Sequence, residues 1–113
     1  MAPQYTEHET PYGNAIFYGN LVLGRVAVQR GNVPQASQYL LAAGATPGSA
    51  SLESFGPNMT LAKELLEKGQ SEVVLQYLAL CKKFWKMDLG KLDEWGATIR
   101  GGGIPEFGAN LKY

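Results

Sequence analysis

Between Ala15 and Val28 the chain reads AIFYGNLVLGRVAV, with Ile16, Phe17, Leu21, Val22, Leu23, Val26 and Val28 spread round a helical circumference and Asn20 and Arg25 as the clear polar breaks. A helix apolar on all sides is buried on more than one side, so this stretch predicts a first helix that its own hairpin partner covers only in part. Further on, Ala36, Tyr39, Leu40 and Ala43, then Val74, Tyr77, Leu78, Cys81 and Phe84, fall at helical spacings and make one-sided stripes. From about Pro57 to Lys68, Leu61, Ala62, Leu65 and Leu66 face one way while Lys63, Glu64, Glu67 and Lys68 face the other. The spacing in each of these stretches is helical.

The helices come in units. Leu23-Gly24 is followed by Ala27, Gly31, Ala36, Leu40 and Ala43, and Leu61-Ala62 by Leu65, Gly69, Val74, Leu78 and Cys81 at the same offsets. A third, incomplete unit opens with Trp95-Gly96, Ile99 and Gly103. These offsets describe a helix, a tight turn and a second helix. Gly24, Ala62 and Gly96 predict close helix approach, while Gly31, Gly69 and Gly103 predict left-handed helix ends. Asn32 and Ser71 are the expected caps of the second helices, with Pro34 tolerated in a first turn. Gly44 to Phe55 reads as a loop, and Ile104-Pro105-Glu106-Phe107-Gly108 as an extended tail lying back across the last helix.

The set Leu23, Gly24, Ala27, Gly31, Ala36, Leu40, Ala43 and Pro47, partly repeated in Leu61, Ala62, Leu65, Gly69 and Leu78, resembles the tetratricopeptide repeat family. Val74 and Cys81 stand where that family favours alanine, and the large aromatic expected three residues before each Leu-Gly pair is replaced by Asn20 and by Pro57 or Asn58. The resemblance implies an all-α fold of about five helices in hairpin repeats with an irregular C-terminal tail. Its expected boundaries are a flexible tail over 1–12 and a single domain over 13–113, with units at about 15–47, 57–86 and 89–103 and the tail at 104–113. It also implies a concave groove along the first helices, carried here by Tyr18, Leu21, Arg25 and Val28, then Met59, Lys63 and Leu66, then Asp93 and Arg100. Arg25, Lys63 and Arg100 would suit that groove to an acidic segment or a carboxylate terminus.

Charge and composition narrow the chemistry. Ten Lys and Arg balance ten Asp and Glu in 113 residues, which removes a long-range pull toward nucleic acid or an anionic membrane. One cysteine permits no internal disulfide, and one cysteine with one histidine cannot build a zinc site from thiolate and imidazole alone. No cofactor or metal is expected, and no apolar stretch reaches the roughly 20 residues of a membrane span. Without a visible signal peptide the default compartment is the cytoplasm.

The remaining motifs have plain readings. His8 sits between Glu7 and Glu9 in the tail, Cys81 at a core position, and Asn58-Met59-Thr60 at a helix start. Gly101-Gly102-Gly103 lacks the ending of a phosphate loop. Lys82, Lys83, Lys86 and Lys91 surround Trp85 in a weak anion-binding pattern that a helix C-terminus also explains. No catalytic set stands out, so the chain is not expected to be an enzyme.

The expected function is a protein–protein interaction or scaffold module that self-associates through its first helix, by Ile16, Phe17, Leu21, Val22 and Val26. Trp95, Phe107 and Tyr113 form an aromatic far end that could receive the next copy. A two-fold dimer is the simpler outcome, with a head-to-tail filament possible in principle. The alternative is a peptide-binding adaptor acting through the basic groove.

Overall fold

A computed structural model of the chain describes residues 10–46, 52, 56–86 and 88–111. Among the described residues the protein is all-helical, without strands: α1 (Thr10–Gln29), α2 (Val33–Gly44), α3 (Thr60–Glu67), α4 (Ser71–Cys81) and α5 (Lys91–Arg100), then a 3-10 turn at Gly108–Leu111. Residues 1–9 of the expected tail, and most of the 44–55 loop with Pro47, lie outside the described residues. The helix that the sequence places from Ala15 already begins at Thr10, because Pro11 falls in the first turn, where its missing N–H costs no hydrogen bond.

Three helices end in the same way. Gly31, Gly69 and Gly102 take φ of +77°, +81° and +89°. In each, the glycine N–H donates to a carbonyl three residues back and the next N–H to one five back. The pairs are Gly31 to Val28 (3.0 Å) with Asn32 to Ala27 (2.8 Å), Gly69 to Leu66 (3.0 Å) with Gln70 to Leu65 (2.9 Å), and Gly102 to Ile99 with Gly103 to Thr98 (both 3.0 Å). This double closure satisfies the last carbonyls and stops the helix. The third turn uses Gly102, not the expected Gly103, because α5 ends at Arg100.

The Asn32 side chain caps α2 by accepting from the Gln35 N–H at 3.2 Å. Ser71 does not cap α4; the capping position is Gln70, without a side-chain bond, and Ser71 is already inside the helix.

The core lies between the hairpins α1/α2 and α3/α4. Phe17 and Leu21 of α1, Ala36, Leu40 and Ala43 of α2, Leu61, Ala62 and Leu65 of α3, and Val74, Tyr77, Leu78 and Cys81 of α4 are all buried. Two glycines let helices meet closely. A β-carbon on Gly24 would collide with Leu61, and one on Gly44 would come within 3.0–3.1 Å of Leu80 and Tyr77. Gly96 plays no such part, since a β-carbon there would meet Arg100 Nη1 at 3.4 Å and Leu75 Cδ2 at 4.0 Å.

The C-terminal segment closes the far end. Trp85 and Trp95 pack at 5.6 Å between ring centroids, and Phe107 meets Trp95 edge-on at 4.9 Å. The tail therefore lies across α5. It is then pinned to the entrance of α3: the Met59 N–H donates to the Asn110 carbonyl at 2.8 Å and Asn110 Nδ2 donates to the Pro57 carbonyl at 3.0 Å.

Candidate functional site

Packing divides α1 lengthwise. Phe17, Leu21, Gly24 and Ala27 are buried against α2 and α3, while Ala15, Gly19, Val22, Leu23 and Val26 are exposed. Val22 is 62% exposed, Leu23 49% and Val26 38%, which puts three of the exposed large apolar side chains on one helix. Ala15, Gly19, Val22 and Val26 follow one another at intervals of four, three and four, the seam spacing of helices that pair lengthwise. Nothing lies within 4 Å of a β-carbon built on Gly19. Unlike Gly24, that glycine is not required by packing among the described residues.

This geometry corrects the expected association surface. Phe17 and Leu21 belong to the core, because a helix with apolar residues all round presents only one arc to its hairpin partner and that arc contains them. Val22 and Val26 are on the open side and Ile16 is half-buried. Trp95 and Phe107 are also buried, covered by each other and by Trp85. The aromatic far end expected to receive another copy is thus sealed by the chain's own tail. Tyr113 lies outside the described residues.

The expected groove is not one continuous trough. Met59 and Leu66 are core residues, both buried, and the tail bonds to the Met59 amide. Arg25 is engaged by Glu64 through Nε to Oε1 at 3.1 Å and Nη2 to Oε2 at 3.3 Å. Tyr18, Val28 and Lys63 are half-buried, and Tyr18 stands edge-on to Phe17 at 4.9 Å. Partial burial raises the Tyr18 hydroxyl pKa above its ordinary value.

Asp93 and Arg100 do meet, in a different place. They line a shallow cleft of about 110 Å³ between α4 and α5, floored by Leu75, Leu78, Ala79, Leu92 and Gly96. Lys82 Nζ pairs with Asp93 Oδ1 at 2.6 Å across it. Arg100, on the last turn of α5, makes no ion pair among the described residues.

Other candidate chemistry is absorbed by packing. Cys81 is fully buried, and loss of solvation raises its thiol pKa far above the ordinary value, so it stays protonated and unreactive. Tyr77 is buried beside it and donates its hydroxyl to the Asn58 carbonyl at 3.1 Å. Asn58 Oδ1 accepts the Thr60 N–H at 2.9 Å, a local turn at the start of α3. Trp85 is buried on Trp95, so no open ring stands among the surrounding lysines. His8 lies outside the described residues. Among the described residues no group of three His, Cys, Asp or Glu is placed to hold a metal, and no helix is long and apolar enough to cross a membrane.

No family model, curated protein or solved structure matches this chain. Its own geometry must carry the reading. Ala15, Gly19 and Leu23 are absent from the association residues expected from the sequence: the first two are too small to register as apolar, and Leu23 enters only among the apolar residues round the helix and as the partner of Gly24 in the repeat pattern. The four-three-four interval was the signal that would have found them.

Proposed function

We propose that the protein is an interaction or scaffold module that self-associates through the outer face of α1. The observation that carries this is the exposure of Val22, Leu23 and Val26 together on one stripe of a helix whose opposite face is already filled. About half of each side chain is open, and full burial is worth ~1.5–3 kcal/mol apiece. Two copies burying six such halves recover on the order of 5–9 kcal/mol, comparable with the ~4–15 kcal/mol cost of bringing two proteins together. The expected association is therefore weak and concentration-dependent, a dimer before anything larger. The resemblance to tetratricopeptide repeats supports the same class of function, contact between proteins.

Nuclear magnetic resonance on dilution tests the reading. Amide shifts of Gly19, Val22, Leu23 and Val26 are expected to move with protein concentration while those of α5 stay still. Shifts independent of concentration up to the millimolar range would remove it.

A second reading, an adaptor for an acidic peptide, is favoured by Arg100 at the mouth of the α4/α5 cleft. It predicts that Arg100→Glu abolishes binding of an acidic peptide at unchanged mass, and binding that survives the substitution rejects it.

A further inference from the structure

The same face of α1 carries an orientation. Its N-terminal half offers Ala15 and Gly19, and its C-terminal half Val22 and Val26, all exposed. Small positions precede large ones on a single seam. Glycine weakens a helix interior, and no described residue lies within 4 Å of a β-carbon built on Gly19, so the seam is open at that position.

We propose that α1 pairs antiparallel with α1 of a second copy about a two-fold axis, so that Gly19 receives the partner's Val22 and Ala15 receives the partner's Val26. This rests on the self-association reading above and adds its geometry. In this arrangement every small position meets a large one, twice over by symmetry. Leu23, flanking the seam, meets the partner's Ile16. A parallel pairing does the reverse: it sets Gly19 against the partner's Gly19 and valine against valine. Packing therefore selects one orientation.

Crosslinking of mixed chains decides it. Ala15→Cys and Val26→Cys are made in separate chains, one isotopically labelled; both sites are exposed, and Cys81 is too buried to interfere. The two positions are eleven residues apart, ~16 Å along a helix, beyond the ~7 Å that a disulfide spans between α-carbons. Mild oxidation of the mixture is expected to give the mixed disulfide at least tenfold over either homodimer, with helical circular dichroism unchanged. Gly19→Leu, which has room within its own chain, is expected to lower the association constant at least tenfold. Homodimer disulfides in excess would overturn the antiparallel geometry and leave self-association through α1 standing. Absence of every disulfide, with a monomeric mass, would overturn both.

Discussion

The Leu61 side chain occupies the place where a β-carbon on Gly24 would stand, and this overlap sets how closely α1 approaches α3. Gly19, five residues earlier on the same helix, faces open space. Packing among the described residues explains one glycine and not the other.

The pair therefore responds in opposite directions to the same methyl group. Gly24→Ala forces Leu61 and Tyr39 aside in a filled core, an overpacking cost of ~1–3 kcal/mol that outweighs the ~1 kcal/mol gained in helix propensity. Gly19→Ala meets no such obstacle and is expected to stabilise the dilute monomer by ~0.5–1 kcal/mol. Urea midpoints at low concentration measure both; equal responses would contradict the packing described.

Asn110 is nearly fully buried and gives its amide to the Pro57 carbonyl. Asn110→Ala leaves that carbonyl short of a partner at a cost of ~1–3 kcal/mol. The Met59 amide, which bonds to the Asn110 carbonyl, is expected to lose hydrogen-exchange protection in the same variant. A loss of stability without faster exchange at Met59 would detach the tail from the entrance of α3.

The Arg25 and Glu64 pair links α1 to α3 at the surface, with both side chains partly exposed. Its coupling in a double-mutant cycle of Arg25→Ala and Glu64→Ala is expected at ~0.2–1 kcal/mol, fading in molar salt. A coupling several times larger, or one indifferent to salt, would mean that the pair is shielded from water.

Alkaline pH should destabilise the chain through Cys81 and Tyr77. Burial raises both groups above their ordinary values, so the folded chain holds them neutral while the unfolded chain releases the thiol proton near pH ~8.5 and the phenol proton near ~10. Their contribution is fully present below the unfolded values and is lost as pH rises, at ~1.4 kcal/mol per pH unit for each group. Cys81→Ala is expected to remove the earlier phase, seen as a shallower fall in urea stability between pH 8.5 and 10 on the scale of those two ordinary values. An unchanged slope in the variant would place the thiol in contact with water.

Local punctuation was legible in the sequence, and long-range closure was not. Gly31, Gly69 and the Asn32 cap announce themselves because each acts on its own helix end. The division of α1 was hidden. Where nearly every position is apolar, periodicity cannot say which arc faces the core, and only packing against α2 and α3 places Phe17 inside and Val22 outside. Trp95 and Phe107 looked like an open aromatic end because their cover depends on Asn110 reaching Pro57, a contact 53 residues away in sequence. Repeat position places Met59 and Leu66 in a groove, yet both are buried, and the returning tail bonds to the Met59 amide. Of the groove residues, Asp93 and Arg100 share a cleft, but with α4 rather than α1 as its other wall.

Sedimentation equilibrium of the unaltered chain beside Val22→Glu tests the central claim most directly. The side chain at Val22 points to water in a single copy, so the substitution leaves the monomer folded while placing a charge on the seam. The account predicts a mass rising from 12.3 kDa toward twice that value with concentration for the unaltered chain, and a fixed monomer for the variant. A monomer at every concentration for both, or a dimer indifferent to Val22→Glu, would contradict it.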